Sequence, residues 1–238
     1  MSNSYTAIAQ YYDIFSQNDC DYPQWSQYLY AVARKHSVQK VVDIACGTGK
    51  MTVLLQKMGL SVTGVDISEQ MLAVAQQKCR AVFVCQDMRK LALPTRSHMA
   101  VCVNDGVNYL KPSELTAFFA QVAQNLKAGA PFVFDVSSPY KLTQVLGNNV
   151  FFDDGDNQTL LWTNTLHANS VTMNLTLFDK GTNDTYTRQD ESHTQYVHTT
   201  EAIASSLTQA GFTLVEVTEY GAPTTDKSLR LTYYATKN

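Results

Sequence analysis

The sequence has no run of basic residues. Eighteen Lys and Arg stand against twenty-one Asp and Glu, for a formal charge of -3 over 238 residues. Neutralising a nucleic-acid backbone needs a concentrated positive face, so extended nucleic-acid binding is not expected. Long apolar runs are missing too. The longest are strand-sized, which argues against a membrane span. The opening MSNSYTAIAQYYD lacks the charged start and apolar core of a signal peptide. The five cysteines, Cys20, Cys46, Cys79, Cys85 and Cys102, are odd in number and form no C-x-x-C pair. They read as reduced small residues in a cytoplasmic protein. His36, His98, His167 and His198 show no ligand spacing, so no metal site is expected. The length suits one α/β domain with an insertion, or one and a half domains, and is long enough to bury a substantial core.

What is present centres on residues 41–52, VVDIACGTGKMT. Val41 to Ile44 reads as a buried strand, Cys46-Gly47-Thr48-Gly49 as a tight turn, and Lys50 to Met58 as a helix ended by Gly59. Glycines 47 and 49 permit positive φ and let a ligand approach the backbone. The dinucleotide fingerprint G-x-G-x-x-G is incomplete, because Thr52 stands at its third glycine. Asp43 lies four residues before Gly47. A carboxylate there would repel a pyrophosphate at the helix N-terminus but would suit a ligand carrying an ammonium and a sulfonium. S-adenosylmethionine carries both.

On these residues the chain resembles the class I S-adenosylmethionine-dependent methyltransferases. Asp43-Ile44-Ala45-Cys46-Gly47-Thr48-Gly49 is similar to the family's first motif, D-x-G-x-G-x-G, with Ala45 in place of the first glycine. The resemblance implies a Rossmann-like α/β fold, a seven-stranded mostly parallel sheet with helices on both faces. It also implies cofactor contacts from Asp43, Ala45, Cys46, Gly47 and Gly49.

Later segments extend both readings. Ser61 to Val65 reads as a strand ending at Asp66, and Ser68 as the N-cap of a helix from Glu69 to Lys78. An acid at that strand end is placed to bind ribose hydroxyls. GVDISEQML resembles the family's second motif and adds Ile67 and Met71. Ala81 to Cys85 reads as a third strand. By the resemblance, Asp87 and Met88 after it recognise adenine. Met99 to Val103 is a fourth strand, and the turn beyond it would deliver Asn104, Asp105, Asn108 and Tyr109 toward the reacting methyl group. DGVNYL resembles a pattern in small-molecule N-methyltransferases, with Asp105 orienting an acceptor amine or taking its proton. Pro112 should open a helix with an apolar stripe of Leu115, Phe118, Phe119, Val122 and Leu126. Pro131 to Val136 is a fifth strand.

The N-terminal stretch, residues 5–35, reads as two helices joined at Asn18 to Pro23, rich in aromatics that include Tyr5, Tyr11, Tyr12, Phe15, Tyr22, Trp25, Tyr28 and Tyr30 beside Ile8 and Leu29. In the family a tyrosine of a Tyr-Asp pair lies over the cofactor, and Tyr12-Asp13 matches by position; a ring face attracts a sulfonium. Residues 150–198 interrupt the pattern with period-two strands at Phe151–Phe152, Thr159–Leu166, Val171–Phe178 and Thr185–Val197. A half-buried antiparallel sheet fits, expected as a substrate lid or dimer contact. His193 on its last strand is a candidate base. A helix from Thr200 and strands at Phe212–Glu219 and Arg230–Thr236 complete the main domain, 1–149 and 199–238.

The expected activity is transfer of a methyl group from S-adenosylmethionine to a small-molecule acceptor, nitrogen favoured over oxygen or carbon, by a monomer or homodimer. The alternatives are a nicotinamide-dependent oxidoreductase, an S-adenosylmethionine-binding protein without turnover, and an RNA or protein methyltransferase. The acidic balance argues against RNA.

Overall fold

The computed structural model describes residues 9–16, 20–182 and 185–238. Tyr5, Ile8, Asn18 and the turn residues Asn183 and Asp184 lie outside them.

Seven strands form the main sheet: β1 (Lys40–Ile44), β2 (Ser61–Asp66), β3 (Val82–Cys85), β4 (Met99–Cys102), β5 (Pro131–Ser137), β10 (Phe212–Thr218) and β11 (Arg230–Lys237). Their order is β10-β11-β5-β4-β1-β2-β3. The five strands from β3 to β5 run parallel, and β11 joins antiparallel to β5 and to β10. The order reverses at β1, where successive connections leave toward opposite edges. In such sheets the crevice at the carboxyl ends beside that reversal takes the ligand.

Strand periodicity divides the core into two. Val42 and Ile44 of β1, and Phe132, Phe134 and Val136 of β5, meet α5 (Leu115–Gln124) and α6 (Thr200–Gln209) on one face. Val41, Met99, Val101 and Val133 meet α2 (Tyr22–Lys35) and α3 (Lys50–Lys57) on the other. Successive side chains of a strand point to opposite faces, so Asp43 and Asp135 turn to the α2/α3 side.

Helix starts follow local chemistry. The Asp21 carboxylate accepts from Gln24 N at 2.9 Å, with Pro23 in the first turn of α2. The helix therefore takes in Pro23, which the sequence assigned to the connecting loop. The α1 helix is one turn, Tyr12–Phe15, with no buried residue. Ser68 caps α4 (Glu69–Lys78) by accepting from Met71 N at 3.2 Å. Pro112 opens a 3-10 turn, Pro112–Glu114, that leads into α5. Trp25, Leu29 and Val32 are the buried stripe of α2. Trp25 stands edge-on to Tyr28 and Tyr220.

Between β5 and α6 lies the second sheet, β6 (Val150–Asp154), β7 (Gln158–Leu166), β8 (Ser170–Lys180) and β9 (Tyr186–Tyr196), antiparallel in that order. The first strand is longer than the Phe151–Phe152 pair expected from sequence and runs on through Asp153 and Asp154. A π-helical segment at Lys141–Leu146, which carries no sequence signal of its own, packs Leu142 and Leu146 against Val171 and Met173 of β8. Among the described residues no helix is long and apolar enough to cross a membrane.

Candidate active site

A cleft of about 640 Å³ opens at the carboxyl ends of β1, β2 and β4. Its wall at the glycine turn is Ala45 and Gly47, and the next is Asp66, Ile67 and Met71. Gln86 to Lys90 line one end, and Asn104, Gly106, Tyr109 and Leu110 the other, with Tyr12 of α1 beside Asn104.

The turn is built on left-handed backbone. Ala45 has φ +54°, Gly47 +53° and Gly49 +75°. An L residue in that region costs roughly 1–2 kcal/mol, and Ala45 accepts it. The two glycines are needed for different reasons. A Cβ on Gly47 would meet nothing within 4 Å, so its missing side chain is open cleft; one on Gly49 would lie 2.9 Å from Ala75 Cβ.

Asp66 anchors the turn. Its Oδ2 accepts from Gly47 N at 2.8 Å and its Oδ1 from Ser68 N at 2.9 Å. Burial raises its pKa, against the lowering effect of those backbone donors. Each oxygen keeps lone-pair capacity for a further donor, as a ribose diol would supply.

Asp87 is held by Arg89, whose Nε lies 2.9 Å from Oδ1 and Nη2 2.6 Å from Oδ2. The Arg89 guanidinium keeps the Asp87 carboxyl below its usual range.

These walls suit an adenosine-bearing ligand: a paired acceptor at mid-cleft, an apolar stretch of Ile67, Met71 and Met88, and room over Gly47. A search of family models matches a methyltransferase domain over residues 41–129. A candidate methyltransferase of Geobacillus sp. (strain WCH70) is 32% identical over 226 residues, 90% of this chain and 91% of that one. A crystal structure of an S-adenosylmethionine-dependent methyltransferase from Clostridium acetobutylicum ATCC 824 superposes with a TM-score of 0.89 at 29% identity, covering 98% of this chain and 99% of the other. The chain belongs to the class I S-adenosylmethionine-dependent methyltransferases. Over a shorter span, 124 residues or 50% of this chain and 49% of the other, it is 32% identical to the dTDP-3-amino-3,6-dideoxy-alpha-D-glucopyranose N,N-dimethyltransferase of Streptomyces fradiae.

In this methyltransferase ten of the residues named from sequence meet in the cleft: Tyr12, Ala45, Gly47, Asp66, Ile67, Met71, Asp87, Met88, Asn104 and Tyr109. The others stand outside its lining. Asp43 is buried behind the turn, where Oδ2 accepts from Thr52 Oγ1 at 2.5 Å and Oδ1 has no partner. Burial is the main cause that pushes its pKa up to about 7, with Asp66 adding repulsion. The carboxylate expected at the mouth of the turn is therefore enclosed and half neutral near pH 7, because β1 points it at α3. Cys46 is buried and its thiol pKa pushed up. Gly49 supports the turn from behind, against Ala75.

Asp105 does not line the cleft. Its Oδ1 accepts from Arg230 Nη1 at 2.7 Å and its Oδ2 from Gln195 Nε2 at 2.7 Å. Burial opposes ionisation there, but Arg230 overcomes it and the pKa falls to about 2. Such a carboxylate is a weak base. His193 is buried in β9, with Nε2 3.0 Å from Glu191 Oε2 and its ring edge-on to Tyr109. Asn108 is a structural tie rather than a cleft residue: it accepts from Ser137 N at 2.8 Å and donates to Tyr196 O at 3.0 Å.

Sequence reasoning missed Gln86, Arg89, Lys90 and Leu110 as cleft lining and Arg230 beneath it. Arg230 opens the last strand, and nothing local marks it; its partners are distant in the chain.

Proposed function

We propose that this methyltransferase modifies a nitrogen of a small polar acceptor enclosed between the cleft and the second sheet. The observation that carries the reading is Asp66, doubly anchored at mid-cleft beside the open face of Gly47. That arrangement supports the ribose of S-adenosylmethionine on Asp66, adenine between Ile67 and Met88, and the amino-acid part over Gly47. When bound, S-adenosylmethionine would supply an activated methyl group, to whose carbon an acceptor lone pair bonds in line as the carbon–sulfur bond breaks and S-adenosylhomocysteine leaves. The chain's own task is then position and desolvation. Tyr12, Asn104 and Tyr109, at the end of the cleft away from Gln86, are suited to hold the acceptor face. Asp105, paired to Arg230, positions the loop and takes no proton, so an acceptor amine must arrive unprotonated or lose its proton to solvent. His193 supports Tyr109.

The DGVNYL stretch and the Streptomyces fradiae N,N-dimethyltransferase support nitrogen as the acceptor atom. The second sheet, whose Gln195 and Tyr196 touch the loop after β4, supports a lid. The test is calorimetry with S-adenosylhomocysteine, then incubation of metabolite pools with methyl-labelled S-adenosylmethionine and mass assignment of the product. Label on an amine confirms the reading, and label on oxygen or carbon refutes the nitrogen assignment. No heat with S-adenosylhomocysteine refutes the donor site.

A further inference from the structure

Two consecutive residues, Asn104 and Asp105, hold φ of +62° and +57°. Asn and Asp tolerate left-handed backbone better than other side chains, but as single residues, so two in succession need surroundings that hold them there. The clamp comes from below. Asp135 of β5 accepts from Asn104 N at 2.6 Å and from Asp105 N at 3.4 Å. Arg230, buried at 3% exposure, pairs with Asp135 and reaches Asp105 Oδ1 at 2.7 Å through Nη1 and Asn104 Oδ1 at 3.0 Å through Nη2.

A guanidinium carries donors and no acceptor. It therefore sets which way the Asn104 amide points, with its oxygen on Arg230 and its Nδ2 toward Tyr12 Oη, 3.0 Å away. Tyr12 and Asn104 both line the cleft. The Asp105 carboxylate carries the same constraint outward, because its second oxygen accepts from Gln195 of β9. One side chain thus ties the N-terminal segment, the loop after β4 and the second sheet.

We propose that Arg230 is a positioning residue that couples the donor cleft to the second sheet, so that placement of Tyr12 and docking of Gln195 are one event. The inference rests on the reading that the cleft holds S-adenosylmethionine. It requires that Gln195, which does not line the cleft, controls donor affinity. Removing Arg230 outright would leave buried carboxylates unpaired and threaten folding. Arg230→Lys keeps the charge but loses the planar fork that reaches Asn104.

The experiment is calorimetric titration of S-adenosylhomocysteine into the full chain and its Tyr12→Phe, Gln195→Met, Arg230→Lys and Tyr12→Phe/Gln195→Met variants, with melting temperatures recorded in parallel. Gln195→Met and Arg230→Lys should each weaken binding by about fivefold or more, the lower range of site-to-site coupling. The double variant should lose no more than the weaker of its two parents, since either change already breaks the shared event. A merely structural Gln195 would lower the melting temperature and leave no such coupling. Wild-type affinity in Gln195→Met, or single losses that multiply in the double variant, would overturn the proposal while the donor site stands. Should Gln195→Met fail to fold, Arg230→Lys with Tyr12→Phe forms a second cycle read by the same criterion. No heat in the wild type would overturn the donor site, and the coupling with it.

Discussion

Replacing Asp43 with asparagine should flatten the dependence of stability on pH. The Asp43 carboxyl is wholly buried, and its pKa is pushed up to about 7. An unfolded chain would titrate it near 3.9. The folded state thus holds this proton more tightly than the unfolded state. The group's contribution is fully favourable below the unfolded pKa and is lost as pH rises through about 7. A difference of three pKa units corresponds to about 4 kcal/mol, of which about 3 kcal/mol falls between pH 5 and pH 9. In a chain of this size 1 kcal/mol moves Tm by roughly 2–4 °C. The wild-type protein should therefore melt roughly 6–12 °C lower at pH 9 than at pH 5 from this group alone. Asp66, also raised by burial, adds in the same direction and is common to both proteins. Asp43→Asn keeps an oxygen for the Thr52 hydroxyl, but its amide nitrogen inherits the position that has no partner. That penalty is independent of pH, so the slope decides and not the absolute Tm. Scanning fluorimetry at pH 5, 6, 7, 8 and 9 on both proteins, without ligand, gives the comparison. Parallel curves would refute the buried, proton-binding Asp43.

Three further expectations follow from the same geometry. Asp66→Ala removes a carboxylate that anchors Gly47 N and Ser68 N; charge-assisted hydrogen bonds are worth roughly 1.5–3 kcal/mol each, so calorimetry should show S-adenosylhomocysteine binding weakened by about 100-fold or more. Gly49→Ala brings a Cβ to 2.9 Å from Ala75 Cβ at φ +75°, and chemical denaturation should report a loss of about 2–3 kcal/mol, where a neutral result would mean the turn can rearrange. Asp13, which accepts from Thr48 and pairs with Lys50 and Lys78, is partly exposed, so Asp13→Asn should cost under about 1 kcal/mol of stability yet weaken S-adenosylhomocysteine binding several-fold by loosening α1 over the cleft, read by melting and titration on one preparation.

Much of the architecture is local and so was readable from spacing. Val41 to Ile44, the glycine turn and Lys50 onward form strand, turn and helix because apolar period, positive φ and an open helix N-terminus coincide within a few residues. The Ser68 cap and the period-two strands that became β7 and β8 declared themselves in the same way. The seven-stranded count and the separate antiparallel sheet followed from those short patterns together with the resemblance to a known family.

Tertiary structure decided what no short window contains. Strand period places Asp43 and Val41 on one face, but which face is sealed by α3 depends on how the helices pack, and that left Asp43 enclosed and outside the cleft lining. Arg230 meets Asp105 across 125 positions of chain, and Gln195 meets it across 90. Electrostatic pairing acts through space, so the burial and charge that hold Asp105 as a carboxylate arise only once β4, β5, β9 and β11 are assembled. Sequence determined which backbone could make a nucleoside-binding turn; packing determined which acids face the cleft and which serve the frame beneath it.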